Sequence, residues 1–417
     1  MSGPVGIRQC AILAGGRASR LGAIAAELPK PLLPCGDRPF LAWLMRELCR
    51  YGVKEFILLA GHLAPRLEAA IPILAAALPR PAAIRVSTEP VAAGTGGALH
   101  HARDLLDPHF LLCNGDSVFD ANLAPFLAAA ARAPGSEIGH LLLRPAPPGG
   151  RYGVVETDGT GVTGFRARPP ADALESGGGG RINAGIYRFD RRILDALAPV
   201  CSLEQAVLPA LAAAGALGAS DGGDGYFCDI GIPEDYARGA ADIPRRLQRP
   251  ALFLDRDGVL NQDHGYVGTR ARFAWVAGAR EAVALATARG FHVFIVTNQS
   301  GIARGLYSEA DLAALHAWIE AECLAGGGTI DDWRYCPFHP EATLPAYRRL
   351  SDWRKPGPGM IRDLMARWDI DPACALLVGD QETDTQAAAG AGIAGHRFAG
   401  GNLRDFLDPL LVRRELP

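Results

Sequence analysis

Two acidic segments of the chain hold the residue types that phosphoryl chemistry requires. In Asp255-Arg-Asp257-Gly-Val, carboxylates at i and i+2 follow directly on the apolar run 251–254. One can attack phosphorus as a nucleophile while the other gives a proton to the leaving oxygen and later takes one from water. Asp255 is expected to be the nucleophile and Asp257 the acid and base. Thr297 and Asn298 end a second apolar run and offer hydroxyl and amide donors for phosphoryl oxygens. Lys355, in Arg354-Lys-Pro, can neutralise the developing charge. Asp380, after the run 375–378, adds a carboxylate that completes a Mg²⁺ site with Asp255 and Asp257, and Asp384 supports that loop. Arg304 and Arg354 are candidates for gripping a second, non-reacting phosphate.

The first half of the chain carries a different set. Leu13-Ala-Gly15-Gly16-Arg17-Ala-Ser-Arg20-Leu follows the apolar run 9–14. Adjacent glycines let backbone N–H groups approach a polyphosphate, and Arg17 and Arg20 can neutralise it. Pro29-Lys30-Pro31 holds a lysine in a rigid frame. Gly94-Thr-Gly96-Gly97-Ala is a second glycine turn, suited to a flat base lying against backbone. Asn114-Gly-Asp116 and Asp229-Ile-Gly supply two well-separated carboxylates, which with Lys30 and Arg20 make a Mg²⁺–triphosphate site.

Such residues need elements to position them. Short apolar runs alternate with helical patterns throughout, which predicts α/β architecture with parallel sheets. The runs 9–14, 55–60 and 110–113 read as strands, and Phe40, Leu41, Leu44 and Leu48 share one face of a helix that Gly52 ends. The same rhythm restarts at 251–254. A chain of 417 residues exceeds one ordinary core. The polar, proline-bounded segment 243–250 is the expected boundary, giving domains 1–244 and 250–417. Both carboxylate motifs then fall at the C-terminal ends of strands, where open α/β sheets bind ligands.

Composition narrows the partners. A net charge of −3 without basic clusters excludes nucleic acid and anionic membrane as expected partners. Nine scattered cysteines without a CxxC pair fit a reducing cytosol, so a cytoplasmic location is expected. The Ala-rich stretch 71–84 is too short and too broken by prolines to span a bilayer.

The first set of motifs resembles the sugar-1-phosphate nucleotidyltransferases over residues 8–240. That resemblance implies a GT-A-like fold and attack of a sugar 1-phosphate on the α-phosphorus of a nucleoside triphosphate. It gives cationic roles to Arg20 and Lys30 and metal ligation to Asp116 and Asp229. It places Gly15, Gly16 and Arg17 on the nucleotide, and Gly96 and Gly97 at its base. Glu156 in Gly-Val-Val-Glu and Asn183 in Asn-Ala-Gly-Ile-Tyr match sugar-contacting positions. The usual Phe-x-Glu-Lys-Pro reads Phe165-Arg-Ala-Arg168-Pro here, so Arg168 replaces the phosphate-binding lysine. Within the family the spacing is most similar to heptose-1-phosphate guanylyltransferases, which favours GTP; mannose-1-phosphate guanylyltransferases and muramate-1-phosphate uridylyltransferases remain open.

The second set resembles the haloacid dehalogenase (HAD) superfamily over residues 250–400, in a capless form. Together the two resemblances imply two Rossmann-like α/β/α domains and Mg²⁺ in both. Asp-Arg-Asp-Gly-Val-Leu-Asn261, Thr297-Asn-Gln-Ser-Gly-Ile-Ala-Arg-Gly305 and Arg354-Lys-Pro are most similar to heptose-1,7-bisphosphate phosphatases. Histidinol-phosphate phosphatases and polynucleotide 3′-phosphatases share much of the pattern. Relatives often carry a Cys-x-His…Cys-x-Cys zinc loop, of which only Cys336 remains, beside His339. No structural zinc is expected, and Phe338 and Trp353 are expected to fill the space. The implied sequence is removal of the 7-phosphate of D-glycero-α-D-manno-heptose 1,7-bisphosphate, then coupling of the 1-phosphate to GTP. A regulatory protein with one dead site is the alternative of another class.

Overall fold

The structure, a computed structural model, describes residues 7–16, 20–22, 27–61, 63–146, 153–166 and 180–412. Arg17 and Arg168 lie outside them. The chain divides into two compact units, Val5–Leu247 and Gln248–Pro417.

The first unit is built on a nine-stranded mixed sheet. Its spatial order is Ala83–Thr88, Glu55–Ala60, Gln9–Leu13, His109–Asn114, Arg181–Asp190, Gly139–Pro145, Leu217–Asp221, Gly161–Arg166 and Val154–Asp158. The first four run parallel, and Arg181–Asp190 turns antiparallel to both neighbours. Gln9–Leu13 and His109–Asn114 are apolar runs because helices cover both faces of the parallel half. One face packs Phe110, Leu112, Leu141, Leu143, Tyr187 and Phe189 into a single core.

The expected helix spans Phe40–Arg50, and Gly52 follows at φ +89°. The Ala-rich stretch is split between the helix Ala64–Ala77, which runs through Pro72, and the strand Ala83–Thr88. Among the described residues no helix is long and apolar enough to cross a membrane. The segment 243–250 begins inside a helix, Pro233–Leu247, whose Ile243 and Leu247 are buried. Pro244 packs against Gly36, which holds that last turn in place.

The second unit is a five-stranded parallel sheet in the order Asp332–Cys336, His292–Asn298, Ala251–Leu254, Ala375–Gly379, Ala394–Arg397. All four residues of the central strand are buried. Between it and the helix Ala279–Ala288 the chain forms only turns, short bridges and one 3-10 turn, so no cap domain stands over the strand ends.

Candidate active sites

The second unit gathers its functional residues at the C-terminal ends of three adjacent strands. Asp255 follows the central strand, and its N–H is taken by Val378 O at 2.9 Å. Thr297 lies at the end of His292–Asn298, and Asp380 follows Ala375–Gly379. Lys355 Nζ sits 2.9 Å from Asp255 Oδ1 and 2.6 Å from Asp384 Oδ1, with 2% of its side chain exposed. A buried charge persists only when paired, and here one ammonium faces two carboxylates. Burial pushes the Asp255 carboxyl up to about 7, against the pull of Lys355. The two carboxylates raise the Lys355 ammonium above its ordinary value despite burial. Burial also raises Asp380.

Asp255, Asp380 and Asp384 each place a carboxylate oxygen within 4.8 Å of the other two. An all-oxygen, triply acidic set fits a hard divalent cation such as Mg²⁺. Asp257 lies outside this trio. Its Oδ1 accepts from Arg256 Nη2 (2.9 Å) and Asn261 Nδ2 (3.0 Å), and its Oδ2 from Arg256 Nη2 (2.8 Å) and Gln299 Nε2 (2.8 Å). Along a strand i and i+2 would share a face, but Asp257 lies past the strand's end, next to the turn that Gly258 makes at φ +83°. A Cβ there would collide with the Asp380 carboxylate.

Asn298 bonds to the backbone of Lys355. Its Nδ2 donates to Lys355 O at 3.1 Å, and its Oδ1 accepts from Lys355 N at 3.0 Å. The side chain thus clamps the lysine's backbone. Arg304 is exposed beside Tyr266, its guanidinium 5.6 Å from the ring centre, and Arg354 is half-buried with Nη1 unpartnered. A cavity of about 400 Å³ joins Asp255, Asp257, Thr297, Lys355, Asp380 and Asp384 to Tyr266, Gln299 and Tyr307. Neither Gln299 nor Tyr307 stands out in sequence, although Gln299 belongs to the Thr-Asn-Gln-Ser-Gly motif itself.

In the loop where relatives carry zinc, Cys336 Sγ donates to Phe338 O and His339 Nδ1 accepts the N–H of Glu341. Arg349 lies 3.6 Å over the Phe338 ring, and Tyr347 packs beside it.

In the first unit, Lys30 Nζ reaches Asp116 Oδ2 at 2.5 Å. Pro31 fixes the 3-10 turn that carries the lysine. Asp116 lies past Asn114, and the intervening Gly115 crosses so close to the strand Gln9–Leu13 that a Cβ would strike Leu13 O. Asp116 O accepts the N–H of Ile230, and Ser117 pairs with Asp229, so the two aspartates lie on paired backbone segments. Asp229 lines a cavity of about 590 Å³ with Asn183, Tyr187, Glu204, Gln205 and Arg166. Asn183 Nδ2 donates to Tyr187 Oη at 2.7 Å, and burial raises the Tyr187 phenol far above its usual value, so it stays protonated. Glu156 pairs with Arg166 at 2.7 Å at this cavity. Tyr187, Glu204, Gln205 and Arg166 were not singled out from sequence. Glu204 and Gln205, both exposed, sit at the cavity's edge on a π-turn, Leu203–Val207.

Gly15 and Gly16 are exposed after the first strand, Gly16 at φ +126°, and Arg20 is exposed just beyond them. Gly96 and Gly97 pack against another segment of the chain. Both N–H groups donate to Cys201 O at 3.1 Å, so neither is available to a base. A Cβ at Gly96 would strike Cys201 Sγ, and one at Gly97 would strike Pro199 O. Packing against residues 199–201 is what demands glycine there.

The geometry agrees with what the chain is similar to. A family model described as nucleotidyl transferase matches residues 10–246, more than half the chain, and one described as HAD-hydrolase-like matches 352–405. The D-glycero-beta-D-manno-heptose-1,7-bisphosphate 7-phosphatase of Rhodopseudomonas palustris is 48% identical over 175 residues, 42% of this chain and 96% of that protein. The D-glycero-alpha-D-manno-heptose-1,7-bisphosphate 7-phosphatase of Burkholderia mallei is 44% identical over 147 residues, 35% of this chain and 78% of that protein. HddC from Yersinia pseudotuberculosis, solved also in complex with GMP-PN, is 27% identical, covering 57% of this chain and 99% of that one, at a TM-score of 0.48. The chain belongs to the nucleotidyl transferase family through its first unit and to the HAD-like heptose-bisphosphate phosphatases through its second, and so carries two enzymes in one polypeptide.

Proposed function

We propose that the chain converts D-glycero-α-D-manno-heptose 1,7-bisphosphate and GTP into GDP-heptose, phosphate and pyrophosphate. The observation that carries this reading is the fusion itself. A phosphatase whose relatives are named for removing a 7-phosphate leaves a sugar 1-phosphate, which is the substrate a sugar nucleotidyl transferase needs. The relatives are named for both anomers, so both belong in any test.

In the second unit, an Asp255 carboxylate oxygen attacks the 7-phosphorus. The bond to the sugar oxygen breaks, and Asp257 supplies the proton that oxygen takes. Water then attacks the aspartyl-phosphate, returns a proton to Asp257 and releases phosphate, restoring Asp255. Lys355 and Thr297 hold the phosphoryl oxygens, and Arg304 and Arg354 grip the 1-phosphate. Mg²⁺ held by Asp255 and Asp380, with Asp384 beside them, would offset the negative charge where nucleophile and phosphate meet.

In the first unit, an oxygen of the sugar 1-phosphate attacks the α-phosphorus of GTP, and the bond to the bridging oxygen breaks to release pyrophosphate. Arg20, Lys30 and Arg17 neutralise the triphosphate over Gly15 and Gly16, and Asp116 and Asp229 would hold Mg²⁺, which would offset charge on the reacting phosphates. Glu156, Asn183 and Arg168 contact the sugar phosphate. We place both reactions in the cytoplasm, where nine free thiols are stable, and expect no structural zinc.

Pyrophosphate release from heptose 1-phosphate, mannose 1-phosphate and muramate 1-phosphate with each of GTP, UTP, ATP and CTP tests the transferase reading. Fastest release with heptose 1-phosphate and GTP supports it; preference for another pair replaces it.

A further inference from the structure

Asp257 and Thr297 are joined by one side chain. Gln299 is 1% exposed, and its Nε2 lies 2.8 Å from Asp257 Oδ2 and 2.8 Å from Thr297 Oγ1. Its Oε1 lies 2.6 Å from Tyr307 Oη. The polarity of this chain follows from donor inventory alone. Both Asp257 oxygens already accept from Arg256, so the Gln299 atom facing Oδ2 is the nitrogen. Its two hydrogens are then divided between Asp257 and Thr297, and its oxygen faces Tyr307, whose hydroxyl must donate. Burial pushes the Tyr307 phenol up to about 12, so that hydrogen is present at neutral pH. Thr297 Oγ1, having accepted from Gln299, has its own hydrogen free to point into the cavity toward a phosphoryl oxygen.

Tyr307 itself is fixed by two glycines. A Cβ at Gly268 or at Gly301 would occupy the space of its ring. Both positions are conformationally ordinary, so the ring is the reason for glycine there.

We propose that Gln299 and Tyr307 are positioning residues for the phosphatase: Tyr307 sets the orientation of the Gln299 amide, and that amide holds the proton carrier Asp257 and the phosphate-binding Thr297 in fixed relation. This rests on Asp257 giving its proton to the leaving oxygen. An alkyl leaving oxygen needs that proton, whereas p-nitrophenolate leaves without it. Loss of Asp257's placement therefore has a signature that a general loss of structure lacks.

The experiment compares kcat/KM on heptose 1,7-bisphosphate and on p-nitrophenyl phosphate for the full chain and for Gln299→Leu, Tyr307→Phe and Asp257→Asn. Gln299→Leu is expected to lose at least about tenfold more on the sugar phosphate than on the aryl ester, the loss common to both being what the placement of Thr297 contributes. Tyr307→Phe should show the same split more weakly, and it carries the test alone if Gln299→Leu fails to fold. Asp257→Asn should show the split most strongly. Equal losses on both substrates for Gln299→Leu and Tyr307→Phe, beside a split in Asp257→Asn, would overturn the inference alone. Equal losses in Asp257→Asn would remove the proton-carrier role and the inference with it. If the wild type hydrolyses the aryl ester but not the heptose, the substrate reading fails separately; phenyl phosphate, a much poorer leaving group, then replaces the sugar, with the same split expected.

Discussion

Lys355 Nζ lies 2.9 Å from Asp255 Oδ1, and both side chains are almost sealed from solvent. The lysine therefore offsets the Asp255 charge within the fold. Lys355→Met leaves the buried Asp255 and Asp384 carboxyls without their cation, so each must hold an uncompensated charge or take up a proton. Removing one partner of such a pair costs about 3–5 kcal/mol. Urea unfolding should show that loss, and phosphate release should disappear, while pyrophosphate release by the first unit continues. Lys355→Met with unchanged stability would mean that the two carboxylates are not ionised there.

The carboxylate trio predicts that Mg²⁺ stabilises the second unit. At a hundredfold excess over the dissociation constant, a ligand that binds only the fold adds about 2.7 kcal/mol. Asp380→Asn should abolish the Mg²⁺-dependent rise in melting temperature and the phosphatase activity together. A full Mg²⁺ shift in Asp380→Asn would place the cation elsewhere.

How much of this was legible follows from chain chemistry. Asp255, Thr297 and Asp380 could be read because buried parallel strands are apolar runs, and a polar residue ending such a run stands at the sheet's ligand edge. Lys30 and Asp116 were both identified, but their contact spans 86 residues of chain and only the sheet order closes it. For Asp257 spacing gives only proximity, whereas Arg256, Asn261 and Gln299 decide where its carboxylate points. Gly96 and Gly97 illustrate the converse. A glycine turn signals close approach, and here what approaches is the backbone of Cys201. Tyr187, Glu204 and Gln205 escaped notice because a β-bulge and a π-turn present them, and neither follows a period of 2 or 3.6.

A buried histidine makes the second unit acid-sensitive. His316 is 7% exposed and stacks on Trp333 with ring centres 3.8 Å apart. Burial, aided by the Arg256 charge, holds it well below the ordinary histidine range. The unfolded ring takes a proton near pH 6.5 and the folded one does not. Its contribution is therefore full above about pH 6.5 and declines as pH falls, by up to about 1.4 kcal/mol per pH unit. Five of the six tryptophans lie in this unit, so their fluorescence can follow its unfolding in urea. His316→Phe should fall less steeply in stability from pH 7 to 5.5 than the wild type. Parallel slopes would contradict the assignment.

Asp116, joined to Lys30 in the first unit, gives the complementary separation of activities. Asp116→Asn should reduce pyrophosphate release by at least about a hundredfold, in the range lost with one electrostatic contact to the reacting phosphates. Phosphate release by the second unit should be unchanged. A comparable loss of both activities would mean that the substitution acts through folding.

The most direct test of the account is mass spectrometry of products from heptose 1,7-bisphosphate, GTP and Mg²⁺, run on each anomer with the wild type and with Asp255→Asn. The account predicts GDP-heptose from the α-anomer with the wild type and none with the variant, while heptose 1-phosphate supplied directly restores it. No GDP-heptose from either anomer, or equal formation by the wild type and Asp255→Asn, would contradict it.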